Sequence, residues 1–203
     1  MFTFILAASR TGLGRAGWPA RAWPMTRWAV LLKGVNVGRA KRVPMAEFRQ
    51  LLTELGYTEV QTLLNSGNAV FTGPARTRPA HAERIRAALA EKLAVDAPVI
   101  VKSAAELEAI GRENPLQAVP DPSRLLVAFA ADAAGLAALA ALAPLVHADE
   151  QWHIGAHAAY LWCPQGILAS KAAEALLGRI GRAVTTRNVA TLEKLVLALK
   201  QAA

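Results

Sequence analysis

Twice along this chain of 203 residues the hydrophobic pattern changes period in one and the same order. Strand spacing gives way to helix spacing, then two strands, a helix, a strand and a closing helix. Residues 28–111 carry the first copy. Trp28 to Lys33 is a short apolar run that reads as a strand buried on both faces. Pro44 suits a first helical position, and Met45, Phe48, Leu51, Leu52 and Leu55 recur at helical spacing until Gly56. Glu59 to Leu64 and Ala69 to Thr72 read as a hairpin around the turn Asn65-Ser66-Gly67-Asn68. A helix over about 79–94, a strand over 97–102 and a helix opened by the capping box Ser103–Glu106 complete the copy.

Three prolines between Asn114 and Ser123 mark a linker, and the order then repeats over 125–199. Leu125 to Ala130 reads as a strand. Asp132 caps a helix carrying Leu136 and Leu139, and Pro144 is expected to stop it. A hairpin turns at Gly155, Ser170 caps the next helix, residues 183–186 form a last strand, and Asn188 caps a final helix. Strand–helix–strand–strand–helix–strand is the ferredoxin-like order, with helices packed on an antiparallel sheet. The predicted fold is therefore α+β: two ferredoxin-like units, over residues 25–113 and 124–203. In such a sheet the loop after the first strand and the hairpin turn are expected at opposite ends of the strands they join.

Residues 1–24 stand apart. They hold three Arg and no acid, with Gly and Pro spaced against regular structure. They read as a disordered N-terminal extension with Met25 as the natural start, the alternative being an Arg-rich organelle-targeting segment, and they lack the positive start of a secretory signal. The chain is 54% hydrophobic with a mean hydropathy of +0.26, enough for a sizeable core. No run approaches the roughly 20 apolar residues of a membrane span. A single cysteine, Cys163, allows no internal disulfide and fits a cytoplasmic setting.

The formal charge of +8 is uneven. Residues 25–103 hold twelve Lys or Arg against six Asp or Glu, whereas residues 104–203 hold eight against nine. A basic half attracts phosphate, nucleic acid or acidic metabolites. The excess peaks after the first strand, where Lys33, Arg39, Lys41 and Arg42 fall within ten residues, Lys33 just before Gly34 and the other three after Gly38. The spacing is neither the dinucleotide fingerprint nor a P-loop, so nucleotide hydrolysis is not implied.

Three short boxes stand out: Lys33-Gly34-Val-Asn36-Val-Gly38 with Lys41 to Met45, then Asn65-Ser66-Gly67-Asn68, then Thr185-Thr186-Arg187-Asn188 with Thr191 and Lys194-Leu195. Their order and spacing over about residues 27–199 resemble the bacterial domain-of-unknown-function family 1697 (DUF1697). That family carries Trp-Asn after the last Asn, where this chain has Val189-Ala190. The resemblance implies an α+β fold of ferredoxin-like parts and no established biochemistry.

The residues themselves point to an anion. Lys33, Gly34, Asn36, Gly38, Lys41, Asn65, Ser66, Asn68, Arg187 and Asn188 are the candidate ligand-binding set. The ligand expected is a phosphate-bearing small molecule or a nucleic-acid phosphate. Each box also has a plain structural reading: a glycine-shaped loop, a hairpin turn and a helix cap. None contains His, Cys, Asp or Glu, so no catalytic set, metal site or cofactor is assigned. His153 and His157 flank a turn, and Cys163 beside Trp162 reads as core. The strands lack the aromatic motif of RNA-recognition domains, Phe71 being the only aromatic of its hairpin. Two other roles stay open: an enzyme with its site between the units, and a protein-interaction module.

Overall fold

The computed structural model describes residues 24–37 and 41–201. The extension before Pro24, and Gly38 and Arg39 of the first box, lie outside the described residues.

The first sheet contains β1 (Met25–Leu32), β2 (Thr58–Leu63), β3 (Asn68–Pro74) and β4 (Val99–Ser103) in the order β2-β3-β1-β4, all antiparallel. The second contains β5 (Leu125–Ala130), β6 (Gln151–Ile154), β7 (Ala158–Trp162) and β8 (Val184–Asn188) in the order β6-β7-β5-β8. Both are ferredoxin-like, and the second order repeats the first strand for strand.

Helices α1 (Met45–Glu54) and α2 (Arg78–Leu93) cover one face of the first sheet. Period-two alternation sends Val30 and Leu32 of β1 into that layer, where they meet Phe48, Leu52, Phe71 and Leu89. Ala29 and Leu31 point the other way, into a second core. That core is built around α3 (Ala104–Glu113) and α6 (Val189–Gln201), and its far wall is Val127 and Phe129 of β5. On the outer face of the second sheet lie α4 (Ala133–Ala137), α5 (Lys171–Leu177) and a 3₁₀ stretch over Ala138–Leu145. The helix that closes each copy therefore packs between the two sheets, and this is why β1 and β5 are apolar on both faces.

Local signals account for several boundaries. Ser103 and Glu106 form the reciprocal capping box, and the Asp132 and Ser170 side chains accept from the amides of Gly135 and Ala173. Two expectations are corrected. Pro144 does not end the segment after Asp132; it sits inside the 3₁₀ stretch, whose last residue is Leu145, because a 3₁₀ turn tolerates a missing amide near its end. The loop after β1 and the β2–β3 turn lie at the same end of the sheet. Leu31 pairs with Asn68, and the Leu32 amide donates to the Gly67 carbonyl at 2.8 Å. The geometry requires this: α1 returns the chain, so β2 runs back toward the end at which β1 finished.

Among the described residues of the first core, His81 and Tyr57 form a titratable pair. His81 is fully buried, with Nδ1 2.9 Å from the Tyr57 hydroxyl and Nε2 3.0 Å from the Pro74 carbonyl. Burial pushes the His81 pKa below its ordinary 6.5, against the Pro74 hydrogen bond, while Arg76 and Arg84 push it further down; burial also raises Tyr57 to about 12. A base depressed by folding binds fewer protons native than unfolded, so stability falls as pH drops below 6.5. Acidifying from pH 7 to 5.5 should lower the urea midpoint, by at most about 1.4 kcal/mol per pH unit in free energy. His81→Phe should flatten that slope between pH 5.5 and 7, whatever it does to stability at pH 7.

Candidate functional site

The three boxes meet. Arg187 pairs with Val127 in the β5–β8 ladder, so strand parity sends both Thr185 and Arg187 inward, toward the end of the first sheet. There the guanidinium reaches across the junction of the two sheets. Its Nε donates to Asn68 Oδ1 at 2.6 Å. Nη1 donates to Thr185 Oγ1 at 2.9 Å and the Thr186 carbonyl at 2.7 Å, and Nη2 to the Leu32 and Ser66 carbonyls, both at 2.8 Å. A guanidinium has five N–H groups. All five are spent here, on uncharged oxygens. Burial alone pushes the Arg187 pKa down to about 10, which leaves it protonated at neutral pH.

Around this hub the other residues act as wall. Asn36 takes φ +57°, an angle Asn tolerates, and staples its loop shut: its amide nitrogen donates to the Val43 carbonyl at 2.9 Å and the Asn65 carbonyl at 2.7 Å, while its oxygen accepts from the Val43 amide at 2.8 Å. Asn68 donates to Ser66 Oγ at 2.9 Å and the Leu63 carbonyl at 3.2 Å. Gly67 has φ +75°, and a β-carbon there would stand 2.6 Å from Val35 Cγ2, so the turn closes on the first box only because this residue has no side chain. Asn188 caps α6, accepting from the Thr191 amide at 3.0 Å and hydroxyl at 2.7 Å. Its side chain serves the helix.

Lys33 reaches the second unit as well. Its ammonium donates to the Gly181 carbonyl and, at 3.1 Å, to the Arg182 carbonyl. Its pKa is lowered, first by burial and then by the Arg182 charge. Lys41 stands exposed on the same loop with φ +51°.

Beside the hub opens a cleft of about 520 Å³. Its floor is Leu32, Ser66, Thr185 and Arg187, and Lys33 and Gly34 stand at one wall. Val37 and Leu177, 73% and 50% exposed, put apolar surface at the mouth. No Asp, Glu, His or Cys is among the described residues that line it. Of the candidate set, the structure thus brings Lys33, Gly34, Ser66 and Arg187 to one cavity. It uses Asn36, Asn65 and Asn68 to hold the walls and Asn188 to cap α6, and Lys41 is not among the residues that line the cavity. Sequence reasoning missed Thr185, Leu176 and Leu177 as lining residues; parity in β8 was the signal for Thr185, and nothing local marked the α5 leucines.

The expected His and Cys environments are elsewhere. Cys163 is buried in the outer core of the second sheet, and burial raises its thiol pKa. His157 Nδ1 lies 2.9 Å from Glu113, and His147 pairs with Asp149. Among the described residues no group of three His, Cys, Asp or Glu is placed to hold a metal. Phe71 is fully buried against Tyr57 and His81, and so offers no stacking surface.

Residues 25–160 match the model of a family described as "Protein of unknown function (DUF1697)". The chain belongs to that family. The matched span holds the first two boxes, and the Arg187 box lies beyond it. A solved structure similar to this chain is titled "The structure of conserved bacterial protein SP0830 from Streptococcus pneumoniae". It is 27% identical, with a TM-score of 0.73, over 87% of this chain and 100% of that one. No curated protein matches the chain. Among the described residues no helix is long and apolar enough to cross a membrane.

Proposed function

We propose that this DUF1697 protein binds a small anionic ligand, with a phosphate as its simplest head group, in the cleft between the first box and β8. One observation carries the reading. Two cations, Lys33 and Arg187, stand at a cleft with no acidic lining among the described residues, and the oxygens holding both are uncharged. Dipoles stabilise a buried charge without cancelling it, so the field extends into the cavity. The Arg187 N–H groups are occupied, and the Thr185 hydroxyl lies between Arg187 and the Leu32 carbonyl, so these two residues contribute charge and shape; Lys33 and Ser66 would contact the anion. The apolar mouth at Val37 and Leu177 suits a ligand with a hydrocarbon or ring body behind its charged head.

The test is thermal unfolding in sodium phosphate against sodium chloride of equal ionic strength. Phosphate should raise Tm saturably beyond chloride, by about 2.7 kcal/mol of stabilisation at a hundred-fold excess over Kd. Lys33→Met should remove most of that increment even though its own baseline Tm shifts. Identical curves in the two salts would reject the proposal.

A further inference from the structure

Two further cavities adjoin the cleft, and the three form a line of hollows, here called the trough. A cavity of about 190 Å³ shares Lys33 and Val184 with it. A third, of about 340 Å³, shares Pro98, Val99, Ile100, Ala131 and Asp132 with the second. The three follow the seam between the two sheets.

Which residues line the trough shows how it lies. Val99, Ile100 and Val101 are consecutive in β4, and Val184 to Arg187 are consecutive in β8. Successive side chains of a strand point to opposite faces, so a cavity touching a consecutive run lies along the strand's edge. Both β4 and β8 are edge strands of their sheets. An edge presents a row of main-chain donors and acceptors, the template onto which an extended segment adds as a further strand.

Charge selects the segment. Lys33 and Arg182 stand at the middle cavity, with Arg78 and Arg86 on the far wall. Arg78 is held by Glu106 and Arg86 by Asp96, so the unmatched positive charge is at Lys33 and Arg182. The acids facing the trough are Glu83 and Asp132, and the Asp132 carboxylate is engaged as the α4 cap, 2.7 Å from the Gly135 amide. No aromatic residue is among the described lining, so nucleic-acid bases would have no ring to stack on. Pro79, Ala82, Val99 and Val101 offer apolar contacts instead.

We infer that this seam docks an extended acidic peptide, paired by main chain to the β4 or β8 edge, with a carboxylate set between Lys33 and Arg182. The charge term rests on the same Lys33 as the anion reading above; the strand-edge term does not. The probe is a fluorescein-labelled peptide of about eight residues alternating Glu and Val, added to the full chain and read by anisotropy. Saturable binding is expected, weakened roughly ten-fold or more (about 1.4 kcal/mol) by Ala131→Trp, which plugs the middle of the trough from an exposed position. Arg182→Glu, also exposed, should weaken it similarly if the tryptophan variant misfolds. N-methylation of alternate peptide amides should abolish binding. Ala131 does not line the phosphate cleft, so the phosphate increment in Tm should survive Ala131→Trp. No binding, equal binding of a Lys-Val peptide, insensitivity to both variants or to N-methylation, or displacement by a single-stranded oligonucleotide at lower concentration would each overturn the inference. A retained phosphate increment would leave the anion site standing.

Discussion

Arg187→Ala is expected to lower the unfolding free energy by about 3 kcal/mol, the cost of leaving several buried acceptors without donors. For a chain of this size that is roughly a 10 °C fall in Tm. Truncation strands the Ser66 and Thr186 carbonyls and Asn68 Oδ1 at once and leaves the Leu32 carbonyl only the Thr185 hydroxyl at 3.5 Å, and those atoms belong to both units. Relief from burying a charge works in the opposite direction, and water from the adjacent cleft can reach some of the acceptors; both keep the loss below the sum of single bonds. Arg187→Lys should recover less than half. An ammonium has three donors on one atom, where this site needs five on a planar fork. Denaturant unfolding of the three proteins provides the check. A change within about 0.5 kcal/mol for the alanine variant would mean that the tie is not stabilising.

Gly181→Ala should cost at least about 3 kcal/mol for a different reason. Its backbone, at φ −81°, ψ 24°, is open to any residue, so no conformational strain is involved. Space is the obstacle. A β-carbon there would stand 1.7 Å from the Leu176 carbonyl oxygen and 2.8 Å from its carbon, both main-chain atoms at the end of α5. One segment must move by more than an ångström. The carbonyl that moves with Gly181 is one that holds Lys33, so the phosphate-dependent rise in Tm should shrink together with stability. Gly111→Ala supplies the contrast. It lies in α3 with no atom within 4 Å of the added carbon, and alanine there should stabilise by about 0.5–1 kcal/mol. Equal effects at the two glycines would show that packing at Gly181 is looser than described.

Both variants act where contacts link distant parts of the chain, and this separates what was legible from what was not. The strand at Leu125–Ala130, the caps at Ser103, Asp132, Ser170 and Asn188, and the turn at Asn65–Asn68 all follow from residues within a few positions of one another. Period, cap and turn chemistry are local, so a linear reading captures them. The same reading put the first loop and the hairpin turn at opposite ends, because strand direction depends on how a connection returns.

From sequence alone came the doubled strand–helix order, the family signature and the concentration of positive charge in the first half. Only the tertiary structure decided that Arg187 lies against Leu32 and Asn68, residues 155 and 119 positions away. It also decided that Asn36 and Asn68 are occupied as braces, and that Lys33 and Arg187 flank one cleft. The reason is physical. A hydrogen bond between residues so far apart imposes no spacing on the chain around either one, so nothing in the order of amino acids announces it until the sheets are stacked.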